Sequence, residues 1–193
     1  VSELSPLRAR LQEIVRTKGV DHFDEPVQLA SGEWSQDFID AKRALADGTD
    51  LEVACRAMIE AATDAGVRWD AVGGLTMGAD HFAHGVALLA GAHWFVVRKQ
   101  PKGRGTNKLV EGWPLGPGDV VFLVDDVVTT GGSIQKAYHQ VRDTGATVAF
   151  AATLVDRGEV AGRFFDRLGV PYTPLLTYRE LDLAPVGDPD LGG

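Results

Sequence analysis

The sequence predicts an α/β fold with a mainly parallel central sheet flanked by helices, and three observations carry that expectation. Short apolar runs rich in β-branched residues alternate with segments whose apolar residues recur at helical spacing. Strands separated by helices of about ten residues or more are parallel, and their helices cover both faces of the sheet. Across 193 residues there is neither an internal repeat nor a linker long enough to divide two domains. A single domain over residues 1–193 follows, with short extended segments over about 20–47 and a loose tail over about 183–193.

Taken in order, Leu4 to Lys18 reads as an amphipathic helix, with Leu7, Leu11, Ile14 and Val15 on one face and Gly19 past its end. Extended segments lie around Phe23, Val27–Leu29 and Phe38–Ile39, broken at Ser31-Gly32. Asp50 to Ala65 is a second helix, stopped by Gly66. Asp70-Ala-Val leads as a short strand into a loop beginning at Gly73-Gly74, and a helix runs from about Gly78 to Leu89. Trp94–Val97 is a strand, followed by a glycine-broken basic segment. Val120 to Val124 is a buried strand ending at two acids, and a helix then runs to Asp143. Val148–Val155, Val160–Leu168 and Tyr172–Leu176 read as strand, helix and strand. The tail is rich in Pro, Gly and Asp.

Composition narrows the classes. A chain of this length buries roughly 70% of its unfolded surface, so neither disulfide nor metal is needed for folding. The one cysteine, Cys55, sits in a helical pattern as a small buried apolar residue, which fits a cytoplasmic location. No apolar run of ~20 residues crosses a membrane, and no signal-peptide core is present. A formal net charge of −8 argues against binding nucleic acid by bulk charge. Against that background Arg98, Lys99, Lys102, Arg104 and Lys108 lie together without an acid between them, among Pro101, Gly103 and Gly105.

Ligands of open α/β sheets gather at the carboxyl ends of the strands, and four such ends carry chemistry here. The strongest is Asp125, Asp126, Val127, Val128, Thr129, Thr130, Gly131, Gly132 and Ser133. Glycines let a backbone approach a ligand, a hydroxyl caps a helix start, and the helix N-terminus attracts a phosphate. The paired acids suit a diol, or a metal held through water. Phosphate cradle and diol site side by side describe a ribose 5-phosphate. The segment is neither a Walker loop nor a dinucleotide turn.

Each of the others has a plainer reading. Gly73 to Asp80 is a strand-to-helix turn, or its glycines bring N–H groups to a pyrophosphate. The basic segment is a solvated surface, a nucleic-acid patch lacking interleaved aromatics, or a lid closing over an anion. Arg157 pairs with Asp156, or its planar fork holds a ligand carboxylate. His81 and His84, spaced i, i+3, read as helix surface rather than metal ligands.

Residues 120–133 resemble the phosphoribosyl-pyrophosphate (PRPP) signature of the type I phosphoribosyltransferases. From about residue 20 to 180 the chain resembles the orotate phosphoribosyltransferases. The quoted segments are Leu29-Ala-Ser-Gly-Glu-Trp-Ser-Gln-Asp-Phe-Ile-Asp40, Gly73–Gly78, Arg98-Lys-Gln-Pro-Lys-Gly-Arg-Gly105 and Leu109-Val-Glu-Gly112. The resemblance implies the type I phosphoribosyltransferase fold and a hood segment closing over orotate. It implies substrate contacts at Thr76, Met77 and Arg98 and along Asp125–Ser133. It also implies a catalytic loop with Lys99, Lys102 and position 104 near pyrophosphate in the neighbouring subunit of a homodimer, and orotate contacts at Thr129 and Arg157. Three positions depart from the family's pattern. Arg104 replaces a usual His, which keeps charge but gives up a proton carrier. Met77 and Trp34 stand where many relatives carry lysines. Asp37 replaces the first of two aromatics.

The expected reaction is Mg²⁺-dependent transfer of the phosphoribosyl group from PRPP to N1 of orotate. The products are orotidine 5-monophosphate and pyrophosphate, a step of de novo pyrimidine (UMP) biosynthesis. The resemblance implies an oxocarbenium-like transition state, in which positioning and electrostatics dominate. Asp125 and Asp126 then stabilise the ribose, and Lys99, Lys102 and Arg104 take up charge on pyrophosphate. Mg²⁺ is held by PRPP and water near the acid pair, with no direct protein ligand. The alternatives are a type I transferase for another base, or a PRPP-sensing regulator with the same fold.

Overall fold

In the computed structural model, which describes residues 4–100 and 109–186, the chain opens with α1 (Pro6–Ile14). Ser5 caps this helix by accepting from the Arg8 N–H, and Pro6 stands at its first position, where no N–H is needed. The helix ends earlier than its apolar pattern suggests, because Val15–Gly19 widen into a π turn. An antiparallel hairpin follows, β1 (Val20–Gln28) against β2 (Trp34–Ile39), with Val20 opposite Ile39. This hairpin is the hood. Asp40 caps the single turn α2 (Ala41–Ala44), and Asp47 caps α3 (Gly48–Asp64).

The remaining elements alternate: β3 (Ala71–Leu75), α4 (Asp80–Ala90), β4 (His93–Val97), β5 (Val110–Gly112), β6 (Val120–Val128), α5 (Gly132–Asp143), β7 (Thr147–Asp156), α6 (Val160–Leu168) and β8 (Tyr172–Thr177). Six strands form one sheet in the order β5-β4-β3-β6-β7-β8. All neighbours are parallel except β5 against β4. The expected α/β class and mainly parallel sheet are what the chain adopts.

Side chains alternate across a strand, so β6 feeds two cores. Phe122 and Val124 join Leu11, Met58 and Phe82 under α1, α3 and α4. Val121 and Leu123 join Ile134, Val141 and Phe165 under α5 and α6. Burial on both faces makes these strands apolar throughout, which is why they read clearly from sequence.

Four expectations need correction. Gly73 and Gly74 do not open a loop; both are buried within β3. Their smallness lets neighbouring strands close in, since a Cβ at Gly73 would lie 2.1 Å from the Phe95 carbonyl oxygen and one at Gly74 2.0 Å from that of Val124. β6 does not stop at the acids: its pairing with β7 continues to Val128 opposite Asp156. The edge strand β5 is too short for a period-2 pattern, and sequence reading passed over it. The tail is not loose from residue 183, because Leu183 and Val186 are buried and the Val186 N–H donates to the Arg157 carbonyl at 2.7 Å. Residues 187–193 lie outside the described residues.

Gly74→Ala should destabilise the fold by about 1–3 kcal/mol or more, because the added methyl meets backbone that cannot yield. Gly116→Ala, with open space around the new Cβ, should stay within about 0.5 kcal/mol. Urea unfolding of both variants measures the contrast; equal midpoints would refute this account of β3.

Candidate active site

A cleft of about 460 Å³ opens at the carboxyl end of the sheet. Its walls are Ala30 and Ser31 of the hood, Leu75 at the end of β3, Lys99 and Gln100 after β4, Asp125, Val127, Val128 and the run Thr129–Ser133, and Lys136 on α5. Those residues come from five separate parts of the chain, joined only because the parallel strands end together.

The acid pair lies within β6, not past its end. Asp125 is 2% exposed, since β6 carries it into the sheet opposite Thr153. Its Oδ1 accepts the Asp126 N–H at 3.0 Å, while its Oδ2 is buried without a hydrogen-bond partner. Burial pushes the Asp125 carboxyl well above the usual carboxylate range, and the neighbouring Asp126 charge pushes the same way. Asp126 Oδ1 accepts the Val127 N–H at 2.7 Å, and its Oδ2 lies 3.4 Å from the Lys42 ammonium. Gly78 closes over the pair: a Cβ there would sit 2.6 Å from Asp126 Oδ1 and 2.8 Å from Asp125 Oδ1.

Beyond the acids, Gly131 takes φ +75° at the cap position of α5. No side chain caps this helix, contrary to the expected hydroxyl cap. Its first-turn N–H groups therefore face the cleft uncapped, and such groups bind anions together with the helix dipole.

The Thr76–Met77 segment leads from β3 into α4. The Thr76–Met77 peptide is cis, and the Thr76 hydroxyl donates to Asp80 Oδ1 at 2.9 Å. Met77 is 69% exposed. With Lys42, Asp80 and His81 it lines a second cavity of about 420 Å³. His81, expected on the helix surface, is half-buried, its Nε2 lacks a partner, and burial pushes its pKa below the ordinary histidine value.

Of the basic segment, Lys99 lines the cleft, while the Arg98 guanidinium pairs with Glu111 at 3.1 Å. Lys102 and Arg104 lie outside the described residues.

Arg157 pairs with neither Asp156 nor open solvent. It is 1% exposed and does not line the cleft. Its fork donates to the Asp37 carbonyl at 2.8 Å, the Ser35 hydroxyl at 3.1 Å and the Ala184 carbonyl at 3.0 Å, while Nε is unpartnered. The Asp37 carboxylate lies 4.0 Å away. One arginine thus ties the hood and the chain after β8 to the end of β7.

Buried polar atoms normally find partners, so unsatisfied ones mark places where something binds. Among the described residues they are Ser31 Oγ, Asp80 Oδ2, His81 Nε2, Asp125 Oδ2 and Arg157 Nε. Ser31 and Asp125 line the cleft, and Asp80 and His81 line the cavity beside it. Within the same residues no group of three or more His, Cys, Asp or Glu is placed to hold a metal ion. Two carboxylates beside an anion cradle suit a Mg²⁺ that keeps its waters and takes other ligands from bound phosphates. Sequence reading missed Lys42 and Lys136. Lys42 meets Asp126 only through the fold. Lys136 left a local sign, an acid-free helix face just after the glycines.

Comparison with known proteins places these features in a family. A family model described as phosphoribosyl transferase domain matches residues 43–163. The orotate phosphoribosyltransferase of Methanothermobacter thermautotrophicus is 38% identical over 154 residues, covering 80% of this chain and 83% of the relative. The crystal structure of Mycobacterium tuberculosis H37Rv orotate phosphoribosyltransferase with inorganic phosphate superposes with a TM-score of 0.77 at 35% identity, covering 93% of this chain and all of that one. The same enzyme in complex with PRPP gives a TM-score of 0.74 at 34% identity, covering 92% and 100%.

The buried acid makes a stability prediction with a definite sign. Above its ordinary value of 3.8 and below its raised value, folded Asp125 holds a proton that the unfolded chain has released, so stability falls as pH rises through that window. Asparagine keeps the shape and cannot ionise. Asp125→Asn should therefore gain stability relative to the native chain as pH rises above 3.8, through the range in which only the folded carboxyl keeps its proton, read by urea unfolding. A constant difference across that range would contradict the raised value.

Proposed function

We infer the reaction from one premise, that this chain belongs to the phosphoribosyl transferase family, among its orotate phosphoribosyltransferases. It transfers the phosphoribosyl group of PRPP to N1 of orotate, giving orotidine 5-monophosphate and pyrophosphate. The observation that carries this reading is one cleft holding both Asp125, the buried member of the acid pair, and the uncapped helix start.

Each part of the cleft has work in that reaction. Thr129–Ser133 and the N-terminus of α5 hold the 5-phosphate through hydroxyls and N–H groups. Asp125 and Asp126 accept hydrogen bonds from the ribose hydroxyls, and their charge favours a ribose that becomes positive as the bond to pyrophosphate loosens. Gly78 lets both carboxylates approach the chain between β3 and α4, since any side chain there would collide with them. Lys99, with Lys102 and Arg104, attracts the departing pyrophosphate, while Thr76 and Met77 border it. Ser31 and the hood cover the base, and Arg157 supplies the guanidinium for its carboxylate. Mg²⁺, when bound to PRPP, neutralises part of the pyrophosphate charge; no side chain needs to be its direct ligand.

The orotate role requires Arg157 to meet a ligand now shut out by Asp37, Ser35 and Ala184, so base entry involves movement of the hood. A homodimer with shared sites is supported by apolar side chains exposed on α4 and the β4–β5 edge, namely Leu88, Trp94 and Trp113. The single thiol, Cys55, is buried and pushed up to about 12 by that burial. An unpaired thiol of this kind supports a cytoplasmic enzyme, acting in de novo pyrimidine biosynthesis.

Incubation with PRPP, Mg²⁺ and a panel of bases should release pyrophosphate with orotate and not with uracil or purines. Release with uracil or a purine alone would overturn the substrate. Asp126→Asn, changing the more accessible acid, should lower turnover by about 10²–10³. Near-normal turnover would remove the acid pair from the mechanism.

A further inference from the structure

The cleft meets a highly charged anion with few fixed charges. Among the described residues its walls carry two cations, Lys99 and Lys136, and one acid, Asp125. The phosphate loop itself, Thr129–Ser133, supplies hydroxyls and backbone groups but no charged side chain. A phosphate monoester carries about −1.5 to −2 at neutral pH. Lys136 stands one helical turn beyond Gly132, on the helix whose N-terminus closes that loop.

Lys136 is exposed, yet two features set it apart from a helix cation held by its neighbours. Partners of a helical lysine lie three and four residues away. Here those positions are Gly132, Ser133, His139 and Gln140, none of them acidic. The ammonium instead turns to the cleft, where it donates to the Lys99 carbonyl. An ammonium has three N–H donors, and this contact uses one.

We propose that Lys136 is a further substrate-binding residue, the charged ligand of the 5-phosphate of PRPP and of the nucleotide product. It adds a charge-assisted hydrogen bond to a cradle otherwise made of neutral donors. Through the Lys99 carbonyl it also fixes where the basic segment leaves the sheet, so the two cations of the cleft are set relative to each other. The inference rests on the placement of the 5-phosphate in the Thr129–Ser133 loop.

The test separates the two phosphate sites of the reaction. Binding of orotidine 5-monophosphate and of pyrophosphate, each with Mg²⁺, is measured by calorimetry on the full chain and on Lys136→Gln and Lys136→Arg. Lys136→Gln should weaken the nucleotide about tenfold, the scale of one charge-assisted bond in a partly open site, and leave pyrophosphate unchanged. Lys136→Arg should recover most of the loss. Unchanged nucleotide affinity, or equal weakening of both ligands, would overturn the proposal and leave Lys136 only as the peg for Lys99. A native chain that does not bind the nucleotide would overturn the placement of the 5-phosphate as well, a failure visible before any variant is made.

Discussion

Two adjacent carboxylates held inside a parallel sheet are the constraint around which this molecule is arranged. Adjacent residues of a regular strand project to opposite sides, but here both carboxylates reach Gly78, and one of them, Asp125, is enclosed. Enclosure raises the cost of its charge. The fold answers with a backbone N–H on one oxygen of each acid, with Lys42 beside Asp126, and with Gly78 against both. One oxygen of Asp125 is left without a partner. That shortfall is what a ribose hydroxyl can fill, so the destabilising feature and the binding feature are the same atom. Burial also serves the chemistry, because a carboxylate away from bulk water acts more strongly on nearby developing charge.

Much of this was legible in the sequence because burial on both faces of the sheet writes long apolar runs. The bounds of α6 agree with its pattern residue for residue, and the loop at Asp125–Ser133 announced itself by composition. What escaped reading was set by contacts distant in sequence. Nothing local says that β6 continues past two acids; its pairing with β7 decides that. Gly73 and Gly74 look like a turn, yet they are small because β4 and β6 press on β3. Lys42 meets Asp126 across 84 residues, a distance that no periodicity reports. Nor does any pattern show that Arg157 is bonded to three backbone or hydroxyl oxygens of the hood and tail.

Arg157 links recognition to shape. An enclosed guanidinium loses hydration, and desolvation works against its charge while Asp37 opposes that effect. Hydrogen bonds to Asp37, Ser35 and Ala184 replace the lost water and join β2, β7 and the chain beyond β8. A ligand carboxylate that takes over part of this fork would exchange one set of charge-assisted bonds for another, so in the proposed reaction the hood is held by the group that recognises the base. Asp37 places a competing carboxylate 4.0 Å from that group. The phosphate end of the cleft makes no such exchange, since the start of α5 carries no cap to displace.

In the proposed reaction the ribose site is a carboxyl kept hard to ionise until substrate hydroxyls reach it. Proton exchange on binding reads this directly. Calorimetric titration of PRPP with Mg²⁺ in buffers of different ionisation enthalpy gives the number of protons exchanged, and the same titration on Asp125→Asn subtracts those belonging to PRPP itself. Ribose hydroxyls stabilise the ionised carboxyl, so the native chain should release more protons than the variant at pH values below the raised Asp125 pKa. Equal proton release by the two chains across the acid range would contradict the account.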